Sequence, residues 1–249
     1  MNPILSVKGI SVQFGALKAV QDVSFEAQPG KITAVIGPNG AGKSSLFNLI
    51  SGAIRPSSGS VRFDGEDVTG RAPHQLLRYG LSRSFQITNL FFELPVRENL
   101  RLAAQFLEQG RGLFRPLARS QTAAARVDEL LEQFDLRHKA DELTGYLSHG
   151  EQRRLEIAVS LASRPRMLLL DEPTQGMSHG DTRETEALIR GLSRNHGLSI
   201  LLVEHDVDLV MQLSDFVVVM HQGQKLAEGT PAEVRANPAV QSAYFGEKH

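Results

Sequence analysis

The clearest chemical signal in the sequence is a glycine-rich run that ends in a lysine and a serine. It reads Gly37-Pro38-Asn39-Gly40-Ala41-Gly42-Lys43-Ser44, followed by Ser45, and has the form G-x-x-x-x-G-K-[ST]. Glycines let the backbone approach phosphate oxygens closely, and N–H groups at a helix start supply positive potential. Lys43 suits the β- and γ-phosphates of a nucleotide, and the Ser44 hydroxyl suits Mg²⁺. The run therefore predicts a phosphate-binding loop; a chance glycine turn is the alternative.

Two carboxylates follow an apolar run further along the chain. Residues 167–170 are continuously apolar, as expected of a strand covered on both faces, and Asp171 and Glu172 come next. The carboxyl ends of parallel strands face the ligand crevice. Asp171 is therefore placed to reach Mg²⁺, and Glu172 to orient and deprotonate a water that attacks the γ-phosphate. The alternative is a surface turn that begins at Asp171-Glu172-Pro173.

A third strand end carries a histidine. The apolar residues 199–203 are followed by Glu204, His205 and Asp206. The imidazole of His205 can donate a hydrogen bond to a γ-phosphate oxygen, although a structural histidine is the alternative. The other histidines are scattered without metal-ligand spacing, so we expect no metal site built by the protein alone.

A helix start at Ser148 has two interpretations. Ser148 and Glu151 have the spacing of a capping box, and this local role accounts fully for both side chains. It does not account for Gly150, because glycine is a poor residue for the first turn of a helix. Close backbone approach to a phosphate would require a glycine there.

The elements that must position these residues indicate an α/β fold. Alternating apolar and polar residues predict half-solvated strands of an antiparallel layer near residues 4–14, 23–27 and 61–63. Continuous apolar runs predict buried parallel strands at residues 32–36, 167–170 and 199–203. Phe14, near the end of the first strand, could stack on an adenine base or simply belong to the core.

The middle of the chain interrupts the strand pattern. Residues 97–107 and 123–134 have helical periodicity and predict a helical insert in the α/β core. We therefore predict a single domain, residues 1–249, with a core of residues 1–86 and 155–228. Residues 87–154 form the predicted helical subdomain, and residues 229–249 a helical extension.

The composition narrows the class of protein. The 249 residues include 27 Lys and Arg against 28 Asp and Glu, and this near-neutral charge argues against a nucleic-acid partner. No cysteine is present, which excludes disulfides and thiol catalysis. We see no signal peptide and no apolar stretch near the ~20 residues that span a bilayer. We expect a chain that is soluble or that contacts the membrane only through a partner protein.

The ordered set of motifs resembles the ATP-binding subunit of an ABC transporter. Phe14 is similar to the aromatic A-loop, Gly37 to Ser44 to Walker A, and Gln86 to the Q-loop. Residues 147–151 resemble the signature motif LSGGQ, Asp171 and Glu172 resemble Walker B and its catalytic carboxylate, and His205 the H-loop. The resemblance implies a P-loop NTPase core of the RecA-like kind with an antiparallel layer and a helical subdomain. It also implies ATP and Mg²⁺ as cofactors. Gln86 would take part in catalysis and would bind Mg²⁺ together with Ser44 and Asp171.

Finer resemblance points to the branched-chain (hydrophobic) amino acid importer ATPases. It rests on residues 147–158, on Glu204-His205-Asp206, and on the ending at residues 239–247. That subfamily also includes transporters of urea, amides and aromatic acids, so the solute stays open.

Several positions depart from the family pattern. Phe14 replaces the commoner tyrosine, and His149 and Glu151 replace Gly and Gln of the signature. A carboxylate beside a partner's ATP would be repulsive, so we expect Glu151 to face away from it as a helix cap. Ser178 stands where the D-loop usually carries Asp, which leaves open how two sites would communicate.

The resemblance implies a dimer of ATPase subunits at the cytoplasmic face of the inner membrane. ATP would lie between Walker A of one subunit and Ser148 and Gly150 of the other, in a homodimer or a heterodimer. Integral permease subunits would be direct partners, a periplasmic solute-binding protein an indirect one. Two alternatives are an ABC-type ATPase of DNA repair or translation and a nucleotide-binding module without hydrolysis. The single cassette, the lack of a basic excess, and Glu172 with His205 argue against them.

Overall fold

The computed structural model of the chain describes residues 2–84, 90–108 and 121–245. Contacts divide the chain into two compact units. The first comprises Met1–Arg83, Arg166–Pro173 and Glu186–His249, and the second Ser84–Pro165 and Thr174–Thr185. Within the described ranges, no helix is both long enough and apolar enough to cross a membrane.

All the strands described belong to the first unit. They are β1 (Leu5–Phe14), β2 (Leu17–Ala27), β3 (Ile32–Ile36), β4 (Ser58–Phe63), β5 (Glu66–Asp67), β6 (Leu81–Arg83), β7 (Met167–Asp171), β8 (Ser199–Val203), β9 (Phe216–His221) and β10 (Gln224–Gly229). One sheet is antiparallel, with the order β2-β1-β4-β5. The other has the order β10-β9-β3-β8-β7-β6 and is parallel except for β10. The predicted antiparallel layer and parallel core are confirmed.

The burial of the strands explains the two sequence patterns. Every residue of β3, β7 and β8 is buried, so these strands carry no solvent-facing polar positions. Alternate residues of β1 and β2, such as Val7 and Phe25, join a core that also includes Phe47 and Val203. The main core of the first unit therefore lies between the antiparallel sheet, the helix after β3 and one face of the parallel sheet.

The helices divide between the units. They are α1 (Lys43–Ile50), α2 (Pro73–Tyr79), α3 (Val96–Ala104), α4 (Gln121–Gln133), α5 (His149–Leu161), α6 (His179–His196), α7 (Val207–Leu213), α8 (Pro231–Ala236) and α9 (Pro238–Phe245). The second unit contains α3, α4, α5 and the start of α6, which confirms predicted helices on both sides of the undescribed residues 109–120. The α3 helix packs on α4 and α5. The guanidinium of Arg126 ties α4 to α5 by donating to the Leu161 carbonyl at 2.6 Å.

A buried asparagine organises one surface of the second unit. The Asn99 amide accepts a bond from the Phe91 N–H at 2.8 Å and donates to the Thr144 hydroxyl at 3.0 Å. The Thr144 N–H in turn donates to the Leu94 carbonyl at 3.0 Å. These bonds join two segments that leave large aromatic side chains exposed, namely Phe91, Phe92 and Tyr146. We call these three residues the aromatic surface.

Candidate functional site

Three neighbouring strand ends meet at one edge of the parallel sheet. The strand β8 pairs with β3 on one side and β7 on the other, so that Val203 lies opposite both Val35 and Asp171. Just past the strands, the Glu172 N–H donates to the Val203 carbonyl at 2.9 Å. This pairing brings the glycine-rich loop, Asp171 with Glu172, and His205 to the same edge.

The glycine-rich loop is enclosed by backbone groups of β2, β9 and the turn between β9 and β10. The helix α1 begins at Lys43, with Gly42 as N-cap at a left-handed φ of 96°. A Cβ on Gly37 would collide with the Met220 carbonyl, and one on Gly42 with the Ala19 carbonyl. The Gly223 N–H of the β9-β10 turn donates to the Ala41 carbonyl at 3.0 Å. The loop is thus held by β2, β9 and the β9-β10 turn.

The lysine of the loop is engaged with the loop itself. The Lys43 ammonium donates to the carbonyls of Gly37 at 2.7 Å and Pro38 at 3.1 Å. Burial lowers the pKa of Lys43, and the nearby charges of Glu172 and Asp171 act in the opposite direction. The Lys43 ammonium therefore lies close enough to Asp171 and Glu172 to interact with both of their charges.

An arginine that the sequence motifs did not identify contacts the first of these carboxylates. The Arg83 guanidinium approaches the Asp171 carboxylate at 3.5 Å and stacks 4.7 Å from the Phe47 ring centroid. It also donates to the Asn48 side-chain carbonyl at 2.7 Å and the Ser51 hydroxyl at 2.8 Å. Burial lowers the pKa of Arg83, and the charge of Asp171 opposes that change. Arg83 therefore links the end of β6 to β7 and α1.

The histidine lies beside two carboxylates. The Nδ1 atom of His205 is 3.8 Å from a Glu172 carboxylate oxygen and 3.7 Å from a Glu204 oxygen. His205 is more than half exposed, whereas Glu204 is fully buried and accepts the His205 backbone N–H at 3.2 Å. Glu172 has a left-handed φ of 45°, uncommon for a residue with a side chain. The alternative of a surface turn that begins at Asp171 is wrong, because Asp171 is buried at the end of β7.

Phe14 is 48% exposed at the end of β1, so the alternative that it is a core residue is wrong. Its ring is available for stacking. Ser44 is exposed and Ser45 half-buried in the first turn of α1. Gln86 lies outside the described residues.

The predicted capping box is confirmed in the second unit. The Glu151 carboxylate accepts the Ser148 N–H at 2.8 Å and its hydroxyl at 2.9 Å, and the Glu151 N–H donates back at 3.3 Å. Lys139 lies 3.4 Å from the same carboxylate. Partial burial raises the pKa of Glu151, but the bonds from Ser148 and the charge of Lys139 lower it more. Glu151 thus faces its own helix start, as predicted.

Gly150 has a neighbour that the sequence did not reveal. A Cβ on Gly150 would lie 2.8 Å from the Asp181 carboxylate. That carboxylate accepts the Ser178 hydroxyl at 2.7 Å, and the Asp181 N–H donates to Ser178 at 3.3 Å. Ser178 therefore caps α6, and its pairing with Asp181 gives Gly150 a local reason to lack a side chain.

The residues so arranged fit a nucleotide. Gly37 to Ser45, Asp171, Glu172 and His205 all belong to the first unit, whereas Ser148, Gly150 and Glu151 belong to the second. A glycine loop at the start of a helix, with a lysine, is suited to phosphate. The Ser44 hydroxyl and Asp171 carboxylate are oxygen donors of the kind that Mg²⁺ prefers.

Comparisons with known proteins agree with this geometry. A family model described as ABC transporter matches residues 20–175. A model described as branched-chain amino acid ATP-binding cassette transporter matches residues 224–249, which include β10, α8 and α9.

Curated relatives match over nearly their whole length. The chain is 42% identical to the high-affinity branched-chain amino acid transport ATP-binding protein BraF of Pseudomonas aeruginosa, over 98% of each chain. It is 41% identical to the LivG protein of the same description from Escherichia coli, again over 98% of each.

Solved structures are similar as well. A crystal structure of a nucleotide-free ATP-binding cassette from an ABC transporter matches with a TM-score of 0.86 at 31% identity, over 99% of this chain and 100% of that one. The ADP conformation of an ATP-binding cassette of an ABC transporter matches with a TM-score of 0.86 at 32% identity, over 99% of this chain and 100% of that one.

The Glu151 cap gives a pH-dependent stability. The pKa of Glu151 in the folded protein lies below its ordinary value of 4.5. The contribution of Glu151 to the free energy of unfolding is therefore fully present above pH 4.5 and is lost as the pH falls through the folded pKa. We expect Glu151→Ala to lower the free energy of unfolding by about 1 kcal/mol at pH 7 and by less below pH ~4. Urea unfolding at both pH values measures this. Glu93→Ala, at an exposed position, is the control; an equal loss in both variants would contradict the cap.

Proposed function

The chain belongs to the ATP-binding family of ABC transporters, and we propose that it powers an importer of branched-chain or other hydrophobic amino acids. As a member of this family it is an ATP hydrolase. The observation that carries the proposed chemistry is the meeting of Lys43, Glu172 and His205 at one sheet edge. Urea, amides and aromatic acids are the alternative solutes for such an importer.

ATP binding begins at the glycine loop. We infer that the backbone N–H groups of residues 39–44 surround the phosphates and that Lys43 exchanges its bonds to Gly37 and Pro38 for the β- and γ-phosphates. The exposed ring of Phe14 stacks on the adenine. A phenyl ring provides this contact without the tyrosine hydroxyl.

The proposed protein ligands of Mg²⁺ are Ser44, Asp171 and Gln86. When bound, Mg²⁺ supplies neutralisation of charge on the phosphate oxygens. The position of Arg83 beside Asp171 fixes the orientation of this carboxylate at the end of β7. In the described part of the chain, no group of three or more His, Asp or Glu side chains is arranged to hold a metal ion. We propose that the protein oxygens bind Mg²⁺ together with the phosphates.

Hydrolysis then requires a general base and a hydrogen-bond donor to the γ-phosphate. Glu172 orients and deprotonates the attacking water, and His205 donates to a γ-phosphate oxygen. The distance of 3.8 Å between His205 Nδ1 and the Glu172 carboxylate keeps the two groups side by side. This separation is longer than a hydrogen bond, and contacts between catalytic groups are often long without substrate and tighten when it binds.

A second subunit completes the site. We propose that Ser148 and Gly150 at the start of α5 bind the γ-phosphate of ATP held by the partner's glycine loop. In this arrangement the Glu151 carboxylate stays bonded to Ser148 and Lys139, so its charge is offset locally. The partner is a second copy of this chain or a sister subunit.

The contact with the membrane is made through permease subunits. The aromatic surface is the candidate for this contact because Phe91 and Tyr146 are 59% and 74% exposed and Asn99 fixes the segments that carry them. Gln86 and residues 89–99 adjoin it in sequence. The subunit would then sit at the cytoplasmic face of the inner membrane, with a periplasmic solute-binding protein as an indirect partner and no nucleic acid.

Two substitutions separate binding from hydrolysis. We expect Glu172→Gln to bind ATP with near-normal affinity, to lose at least about 100-fold in hydrolysis, and to accumulate as an ATP-bound dimer, because only the base is removed. Lys43→Ala should lose ATP binding or hydrolyse very poorly. Nucleotide titration, phosphate release and size-exclusion chromatography measure these outcomes. Near-normal turnover by Glu172→Gln would contradict its role as the base.

The shared site is tested with two differently tagged copies. When one copy carries Lys43→Ala and the other Ser148→Ala, both defects fall in one shared site, and the second site stays intact and hydrolyses ATP. When both changes lie on one copy, each site carries one defect and hydrolysis is lost. If the sites lay within single chains, the two mixed dimers would behave in the opposite way.

Membership of a transporter is tested by purification from membranes. The tagged subunit should retain a multi-span permease, and Phe91→Ser should reduce that retention at least several-fold without changing the ATPase rate of the isolated subunit. Leu17→Ser, at an exposed apolar position of the first unit, is the matched control and should retain the permease. Loss of permease with Leu17→Ser but not with Phe91→Ser would overturn the assignment. Uptake of labelled leucine in cells lacking the subunit tests the solute.

A further inference from the structure

The C-terminal helix α9 reaches the start of the phosphate-binding loop. Its residue Tyr244 lines the same cavity as Ile36, the residue before Gly37, and its phenol hydroxyl faces the backbone N–H of Gly37. The helix is anchored elsewhere: the Gln241 amide donates to the Arg235 carbonyl at 3.0 Å, and Arg235 pairs with Asp208 of α7 at 3.4 Å. A residue more than 200 positions along the chain therefore meets the first residue of the loop.

The contact between Tyr244 and Gly37 is incomplete. The hydroxyl oxygen is enclosed and has no partner of full hydrogen-bond geometry in the described part of the chain. Burial raises the pKa of Tyr244 to about 12, and the Gly37 N–H opposes this rise only in part. A phenylalanine would fill the same space without an enclosed hydroxyl, so packing alone does not explain the tyrosine.

Gly37 also contacts Lys43, the residue that we propose turns to the phosphates. Its carbonyl accepts the Lys43 ammonium at 2.7 Å, and the Met220 carbonyl closes off the side where a Cβ would lie. If Lys43 turns to the phosphates, the carbonyl of Gly37 loses this partner while the Met220 contact stays. Gly37 is then free to adjust toward Tyr244 rather than toward β9.

The helix has room for a small adjustment as well. A cavity of about 1110 Å³ lies between α7, α8 and α9, lined by Ile36, His205, Met211, Val240 and Tyr244 among others. It touches both the end of β3 and His205. The α9 helix therefore borders open space on this side, which leaves room for a small shift of Tyr244.

We propose that Tyr244 is a positioning residue for nucleotide binding, which completes its hydrogen bond with the Gly37 N–H when the loop holds phosphate. The C-terminal helix would thereby be coupled to occupancy of the loop. This proposal rests on the proposed nucleotide site but goes beyond it, because it assigns a role to the C-terminal extension. By reciprocity, nucleotide would stabilise α9 to the same degree that α9 favours nucleotide.

The test compares Tyr244→Phe with Tyr79→Phe. Tyr79 lies in α2 of the same unit, with Arg71 over its ring, and serves as the matched loss of a hydroxyl. We expect Tyr244→Phe to weaken MgADP binding about 3- to 10-fold by calorimetry, the value of one hydrogen bond. Its melting temperature without nucleotide should be unchanged or higher. MgADP avoids turnover during the measurement.

Two further readouts make the outcome decisive. In glycine-labelled protein, MgADP should shift the Gly37 amide proton downfield, and Tyr244→Phe should abolish that shift. Hydrogen exchange in residues 238–245 should slow on MgADP binding in the wild type but not in Tyr244→Phe.

A lower melting temperature with unchanged MgADP affinity in Tyr244→Phe would show a purely structural role and overturn the proposal. Equal weakening by Tyr79→Phe would overturn it too. Lys43→Ala separates the two levels of inference: if that variant binds nucleotide normally, the loop itself is misassigned. If Lys43→Ala loses binding while Tyr244→Phe changes nothing, only the role of Tyr244 fails.

Discussion

The parallel pairing of β8 with both β3 and β7 is the constraint on which the site depends. Because these strands run in the same direction and in register at Val35, Val203 and Asp171, their carboxyl ends stop at one level. Each end is followed by a different chemical group: a glycine loop, a pair of carboxylates, or a buried glutamate with an exposed histidine. All three strands are buried along their whole length, so this alignment lies within the apolar core.

The parts of the fold that the sequence predicted are those with local causes. Residues 32–36, 167–170 and 199–203 are apolar because both faces of the sheet are covered, and Ser148 with Glu151 caps a helix within four residues. Contacts between distant segments left no such pattern. Arg83 reaches Asp171 across 88 positions, and no spacing rule connects them. The division of the chain into core and helical subdomain, and the roles of the site residues, stay predictions.

The segment from Ser148 to Glu151 shows how one sequence can satisfy two demands. Its capping box uses the Ser148 and Glu151 side chains. The proposed phosphate contact would share the Ser148 hydroxyl with that box and would add backbone N–H groups. The glycine between Ser148 and Glu151 adjoins Asp181, which Ser178 holds in place. The unusual residues at 151 and 178 are therefore both helix caps here. Their local bonds explain how they are tolerated in the fold of this family.

The enclosed loop also limits how this protein can change during evolution. The group that excludes a side chain at Gly37 is the main-chain carbonyl of Met220, and at Gly42 it is that of Ala19. Every amino acid at positions 19 and 220 carries the same carbonyl. A second-site substitution at those positions cannot make room, so a damaged loop has no simple suppressor there. We therefore expect substitutions in this region to fall on the side chains that surround the loop, while Gly37 and Gly42 stay unchanged.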